Sequence, residues 1–115
     1  MVRQLLNTGK VDINSRDSDG QTPLLWAVQK GYESVVRLFL DTGKVDIDSK
    51  DSHGQTPLSW AAENGHKSIV RLLLDTGKVD INSKDCGGQT PLSWAVENGH
   101  ESIVKLLLDN RAEIY

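Results

Sequence analysis

The sequence predicts an all-α repeat solenoid: helix-turn-helix units stacked in a row and joined by hairpin-like β-turn loops. Three observations predict it. The string Gln-Thr-Pro-Leu recurs at Gln21, Gln55 and Gln89, at a constant spacing of 34 residues. Residues 17–50 align without gaps on 51–84 with 24 of 34 identical, and 85–115 match 51–81 at 20 of 31 positions, which marks a repeated supersecondary unit rather than chance. Each unit also carries start and stop signals for two helices of only about 8 to 10 residues. Helices that short are unstable alone in water, so each must bury its apolar face on its partner and on the next unit. The core is then a continuous stripe, which suits a chain of 115 residues whose single compact core would be small.

Taken from the N-terminus, residues 1–16 match only the back half of a unit, with Val2 aligned on Val36 and Gly9 on Gly43. Full units follow at 17–50, 51–84 and 85–115, with no linker or low-complexity segment between them. In the second unit Thr56 precedes Pro57 and Leu58. The threonine oxygen can cap free backbone N–H groups, and proline suits the first helical position. This helix runs to Asn64 and is stopped by Gly65, which can take the left-handed conformation. A second helix is predicted from His66 to Asp75, with Ile69, Val70, Leu72, Leu73 and Leu74 as a broad apolar face and Gly77 closing it. The stretch from Lys78 alternates apolar and polar through Val79, Asp80, Ile81 and Asn82, then turns at Asp85, Cys86, Gly87 and Gly88. Residues 1–16 hold a second helix without its first. Val2, Leu5 and Leu6 are therefore expected to form an open apolar end that frays or self-associates, and the chain reads as a fragment of a longer array.

Charged residues make up 25% and apolar ones 37%, the balance of a globular chain rather than a disordered one. A net charge of −3 argues against a general nucleic-acid or membrane binder, which carries a basic excess. No apolar run approaches the roughly 20 residues of a membrane span, and no basic segment followed by an apolar stretch opens the chain. The single cysteine, Cys86, has no internal disulfide partner, which fits a reducing compartment and predicts an intracellular, cytoplasmic location.

The unit resembles the ankyrin repeat, a β-turn followed by two antiparallel helices. That pattern runs Asp-x-x-Gly-x-Thr-Pro-Leu-His-x-Ala-Ala-x-x-Gly-His, then an apolar helix ending in Gly. The second unit matches it with Asp51, Gly54, Thr56, Pro57, Leu58, Ala61, Ala62, Gly65, His66, Val70, Leu72, Leu73, Leu74 and Gly77. The match covers essentially the whole chain, one ankyrin repeat domain at 1–115, and returns in register three times. Leu25, Ser59 and Ser93 replace the histidine after Thr-Pro-Leu, so its usual bond to the neighbouring turn is lost or made by a hydroxyl. Trp26, Trp60 and Trp94 stand where leucine is common. The unit is one residue longer than the family's usual one, with the extra residue in the loop after Gly43 and Gly77. The Ser-Trp-Ala spelling resembles ankyrin arrays of large fungal multidomain proteins.

Residues that could carry chemistry read more simply as scaffold. Trp26, Trp60 and Trp94 sit beside Ala27, Ala61 and Ala95 and are expected in the inter-repeat core, largely buried, where small alanines let helices approach and a ring fills the gap. A ligand-stacking platform is the alternative. His66 and His100 are equivalent residues one repeat apart, and helix packing sets that spacing at about 10 Å, too far for two ligands of one zinc ion. A surface or loop-bonding role is expected for them, and an exposed turn tip for His53. Ser59 and Ser93 recur at one repeat position, which makes a poor asymmetric active site, and Cys86 is expected at an exposed turn tip without a pocket. The Gly87-Gly88 pair belongs to the turn, not to a phosphate-binding strand-loop-helix unit. No catalytic residue, cofactor or metal is expected. Asp17, Asp51 and Asp85 directly follow Arg16, Lys50 and Lys84 and form a ladder. It reads as a solvated row that stabilises the turns; recognition of a mixed-charge partner is the alternative.

This organisation predicts a non-enzymatic protein-protein interaction scaffold. The ankyrin resemblance implies a partner protein on the concave surface of turn tips and first helices. Carried over position by position, its contact residues are Arg16, Ser18, Asp19, Gln21, Gln29 and Lys30 in the first full unit. The second unit supplies Lys50, Ser52, His53, Gln55, Glu63 and Asn64, and the third Lys84, Cys86, Gly87, Gln89, Glu97 and Asn98. These are non-apolar positions that the turn and first helix are expected to leave facing solvent on one side. The tips differ among otherwise similar units, as a specificity surface would, although neutral divergence gives the same pattern. Without aromatic anchors at the tips, a contact of roughly micromolar strength is expected. The alternatives are a structural spacer within a longer ankyrin solenoid, favoured by the high identity between units, and an engineered consensus-like scaffold. Against the last stand repeat-specific residues such as Tyr32 and Phe39, which look like natural divergence.

Overall fold

A computed structural model describes residues 13–112. Six α-helices lie among these residues and form three successive pairs. Helix α1 (Pro23–Lys30) pairs with α2 (Glu33–Asp41), α3 (Pro57–Asn64) with α4 (Lys67–Asp75), and α5 (Pro91–Glu97) with α6 (Glu101–Asp109). No strand is assigned among the described residues. The expected open end at Val2, Leu5 and Leu6 lies outside them.

Each first helix begins where its local signals place it. Thr22, Thr56 and Thr90 are extended N-caps whose hydroxyl oxygens accept from the N–H groups of Leu25, Ser59 and Ser93 at 3.2 Å. A proline follows each cap at a position where a missing N–H costs nothing. Gly65 ends α3 at φ 76°, a left-handed conformation that would strain any residue carrying a Cβ. The second helices start without a side-chain cap, and those of the first two pairs end at threonines. There Thr42 and Thr76 donate their hydroxyls to the carbonyls of Phe39 and Leu73 at 2.7 Å, satisfying groups that the helix end leaves free.

The core is one stripe through all three pairs. Leu24, Val28, Val36 and Phe39 enter it from the first pair, Leu58, Ile69, Val70 and Leu73 from the second, and Leu92, Ile103 and Leu107 from the third. Full burial of each such side chain stabilises by about 1.5–3 kcal/mol, and no helix of seven to nine residues has another source of that size. Ala27, Ala61 and Ala95 are completely buried, and their small size lets the first helices approach one another more closely than the second helices do. The molecule measures 43 × 26 × 21 Å, elongated as stacking in one dimension requires.

The tryptophans are not core residues, contrary to the expectation from their neighbours. Trp26 is 47% exposed, and Trp60 and Trp94 are half-buried at the edge of the stripe. The alanine beside each ring takes the fully buried position, and the ring lies at the margin of the stripe, with Trp60 still packed against it. An indole N–H also needs an acceptor, and two of the rings find one outside the apolar stripe. Trp60 Nε1 donates to Asp51 Oδ2 at 2.8 Å, and Trp94 Nε1 to Asp85 Oδ2 at 2.9 Å.

Candidate partner-binding surface

Each turn tip is organised by its first aspartate. Asp51 Oδ1 accepts from the N–H groups of His53 and Gln55 at 2.9 and 3.0 Å, while Oδ2 receives the Trp60 indole. The Asp51 N–H donates to the Gln55 carbonyl at 3.1 Å, and Gly54 N–H donates back to the Asp51 carbonyl at 2.9 Å, which closes a hairpin-like turn. Asp17 and Asp85 accept the equivalent backbone pairs at 2.9 Å. The ladder is therefore not a solvated row: Asp51 is 6% exposed and Asp85 half-buried, because their oxygens are committed to the turn; only Asp17 is exposed.

The tips are bonded into a row. Ser52 N–H donates to the Asp19 carbonyl at 3.1 Å and Cys86 N–H to the His53 carbonyl at 3.0 Å. Their approach is so close that a Cβ on Gly54 would stand 2.9 Å from the Cys86 nitrogen. The basic residues before the first two turns reach the same way. Arg16 Nη1 donates to the Lys50 carbonyl, and Lys50 Nζ to the Lys84 carbonyl at 3.3 Å. At the far end of the first helices, His100 Nε2 lies 2.9 Å from the Glu63 carbonyl, and Asn98 Nδ2 donates to that oxygen at 3.1 Å. The His66 ring covers Gly31 in the same manner. Both histidines lie at the joint between repeats, where His100 bonds to the Glu63 carbonyl and the His66 ring packs over Gly31.

A turn glutamine ties each tip to the first helix that follows. Gln55 Nε2 donates to Glu63 Oε1 at 3.1 Å, Gln89 Nε2 to Glu97 Oε2 at 2.9 Å, and Gln29 Nε2 to Gln21 Oε1. Ser59, standing in place of the family's histidine, donates its hydroxyl to Gln55 Oε1 at 3.0 Å. The replaced bond is thus made by a hydroxyl, but to the turn of its own repeat.

Thirteen of the eighteen residues expected at a contact surface are exposed: Arg16, Ser18, Asp19, Lys30, Lys50, Ser52, His53, Asn64, Lys84, Cys86, Gly87, Glu97 and Asn98. Gln21, Gln29, Glu63 and Gln89 are half-buried. Gln55 is the correction: it is 7% exposed, since Ser59 and Glu63 satisfy its amide and leave little for a partner.

Aromatic residues join this surface, and the tip sequences give no sign of them. Trp26, Trp60 and Trp94 precede Gln29, Glu63 and Glu97 by three positions and Lys30, Asn64 and Asn98 by four, so each shares their helix face. That i, i+3, i+4 spacing is the signal that could have placed them. Trp26 stands edge-on to Tyr32, with ring centroids 5.3 Å apart and both residues 47% exposed. Tyr32 occupies the position held by His66 and His100 in the later repeats.

Short capped helix pairs on a shared apolar stripe, with hairpin tips bonded in a row, define a stacked repeat protein that displays a continuous surface. A family model described as ankyrin repeats (3 copies) matches residues 1–51 and 44–115, and the chain belongs to the ankyrin repeat family. Ankyrin repeats are in general protein–protein interaction modules, and the family is typically non-enzymatic. No helix among the described residues is long and apolar enough to cross a membrane.

Proposed function

We propose that this array holds a partner protein on the concave surface made by its turn tips and the outer face of its first helices. The observation that carries the reading is the bonded row of tips, in which differing side chains ride on one repeated framework. Ser18 and Asp19, Ser52 and His53, and Cys86 and Gly87 are displayed on turns already fixed by their aspartates and by tip-to-tip bonds. Little ordering entropy is then lost on binding, which favours affinity from a modest polar surface. The tryptophan faces beside the tips supply the aromatic anchors that polar tips lack, and Trp26 with Tyr32 is the most exposed of them. A reducing, cytoplasmic setting suits the exposed and unpaired thiol of Cys86.

The test is capture of a partner by the whole chain, followed by titration of that partner against two variants. Trp26→Ala, His53→Ala and Asn64→Ala combined removes three exposed groups of the proposed surface. Binding should weaken at least about tenfold, or about 1.4 kcal/mol, with Tm nearly unchanged. Lys67→Ala, Arg71→Ala and Lys105→Ala combined alters exposed residues of the second helices and should bind as the parent does. The reverse pattern moves the site to the convex side. Failure of the whole array to capture any partner favours a spacer segment of a longer solenoid.

A further inference from the structure

The loops that follow the second helices are joined from repeat to repeat by one side chain, and its identity changes along the array. Asn14, Asp48 and Asn82 occupy the same position, 34 residues apart. Asn14 makes a two-point bridge to the next loop: Oδ1 accepts from the Asp46 N–H at 2.7 Å, and Nδ2 donates to the Lys44 carbonyl at 3.1 Å. One repeat later Asp48 reproduces half of this bridge. Its Oδ2 accepts from the Asp80 N–H at 3.0 Å. Its Oδ1 takes the place of the amide nitrogen, is buried, and has no hydrogen-bond partner. In the repeat register Lys78 corresponds to Lys44, so its carbonyl is the counterpart of the acceptor that Asn14 Nδ2 reaches one repeat earlier. An ionised carboxylate has no proton to offer a carbonyl as the amide of Asn14 does, and a buried oxygen without a donor is costly.

We propose that Asp48 is a proton-operated latch between the first and second full repeats, half-closed when ionised and closed when its carboxylic acid donates to the Lys78 carbonyl. The charged groups around it oppose ionisation on balance. Burial raises its pKa above the ordinary aspartate value of 3.8, the bond from Asp80 N–H lowers it, the charges of Asp80 and Asp46 raise it, and Lys50 lowers it; the net direction is up. A carboxyl whose pKa is higher folded than unfolded binds protons preferentially in the folded state. Its contribution to stability is fully present below 3.8 and is lost as pH rises through the folded value. Mild acid therefore tightens this joint, against the usual trend for carboxylates held by bonds to their charged form. Lys50 lies two residues on and clips to the next repeat, so the joint adjoins the proposed contact surface.

The experiment compares urea unfolding of the full chain with that of Asp48→Asn across the acidic range up to pH 7. An amide there restores both halves of the bridge. The variant should have a folding constant about two- to tenfold larger than the parent's at pH 7, and that ratio should shrink as the parent's carboxyl protonates. A variant no more stable than the parent at pH 7, or a ratio that does not change with pH, overturns the latch. A carbon-detected NMR titration of the unaltered chain gives a second reading that needs no substitution. The Asp48 carboxyl should titrate above the ordinary aspartate range, and titration at or below it overturns the proposal.

Discussion

At the scale of single residues, one carboxylate carries each tip, and its burial decides how much. Asp51 accepts from two backbone N–H groups and the Trp60 indole while 6% exposed; Asp17 holds two backbone donors in the open. Replacing Asp51 by alanine leaves three donors without an acceptor where water reaches only part of the site. We expect Asp51→Ala to lower stability by about 2–3 kcal/mol in urea unfolding, and Asp17→Ala by about half that or less. Equal losses would mean that burial and the indole bond contribute nothing. The same bond sets the expectation for the ring. Trp60→Phe removes the N–H and should cost about 0.5–1.5 kcal/mol, the scale of one hydrogen bond. A core ring would make itself known at about 3–5 kcal/mol on truncation, and a half-buried one should not.

At the scale of elements, the joint between first helices depends on what faces the glycine that follows each of them. Gly31, Gly65 and Gly99 share a left-handed conformation, at φ 74°, 76° and 72°. A Cβ on Gly65 would stand 2.9 Å from the His100 ring, whose Nε2 is held at the Glu63 carbonyl; a Cβ on Gly99 would meet nothing within 4 Å. Gly99→Ala should therefore cost only the conformational term, about 1 kcal/mol, and Gly65→Ala about 2–3 kcal/mol because the ring must also leave its bond. Equal midpoints for the two variants in urea unfolding would show that the histidine contact is idle. The helices themselves are legible in the sequence because their signals are local: Thr-Pro starts α3 and Gly65 ends it whatever surrounds them. The outer face of a helix is less legible. Trp60 and Ala61 are adjacent and both apolar, and only the packed stack shows that the alanine is fully buried while the ring stays half-buried at the margin. Burial of Asp51 and Gln55 is hidden for a related reason: the partners that make it tolerable, Trp60, Ser59 and Glu63, meet them only after the turn has folded onto α3.

At the scale of the whole molecule, repetition converts local bonds into a surface. Each tip bonds to the next, each histidine or glutamine joint is copied in the following unit, and the three helix pairs share one stripe of core. An array built so presents its tips and first-helix faces as one side, with Trp26, Trp60 and Trp94 beside His53 and Asn64, and the second helices as the other. The claim that the first of these sides is the working one has a direct measurement: amide hydrogen exchange of the full chain, free and saturated with the partner it captures. Exchange should slow at residues 18–19, 52–53 and 86–87 and along the first helices α1, α3 and α5, with α2, α4 and α6 little changed. Slowing confined to the second helices, with the tips exchanging as they do in the free chain, would contradict the account.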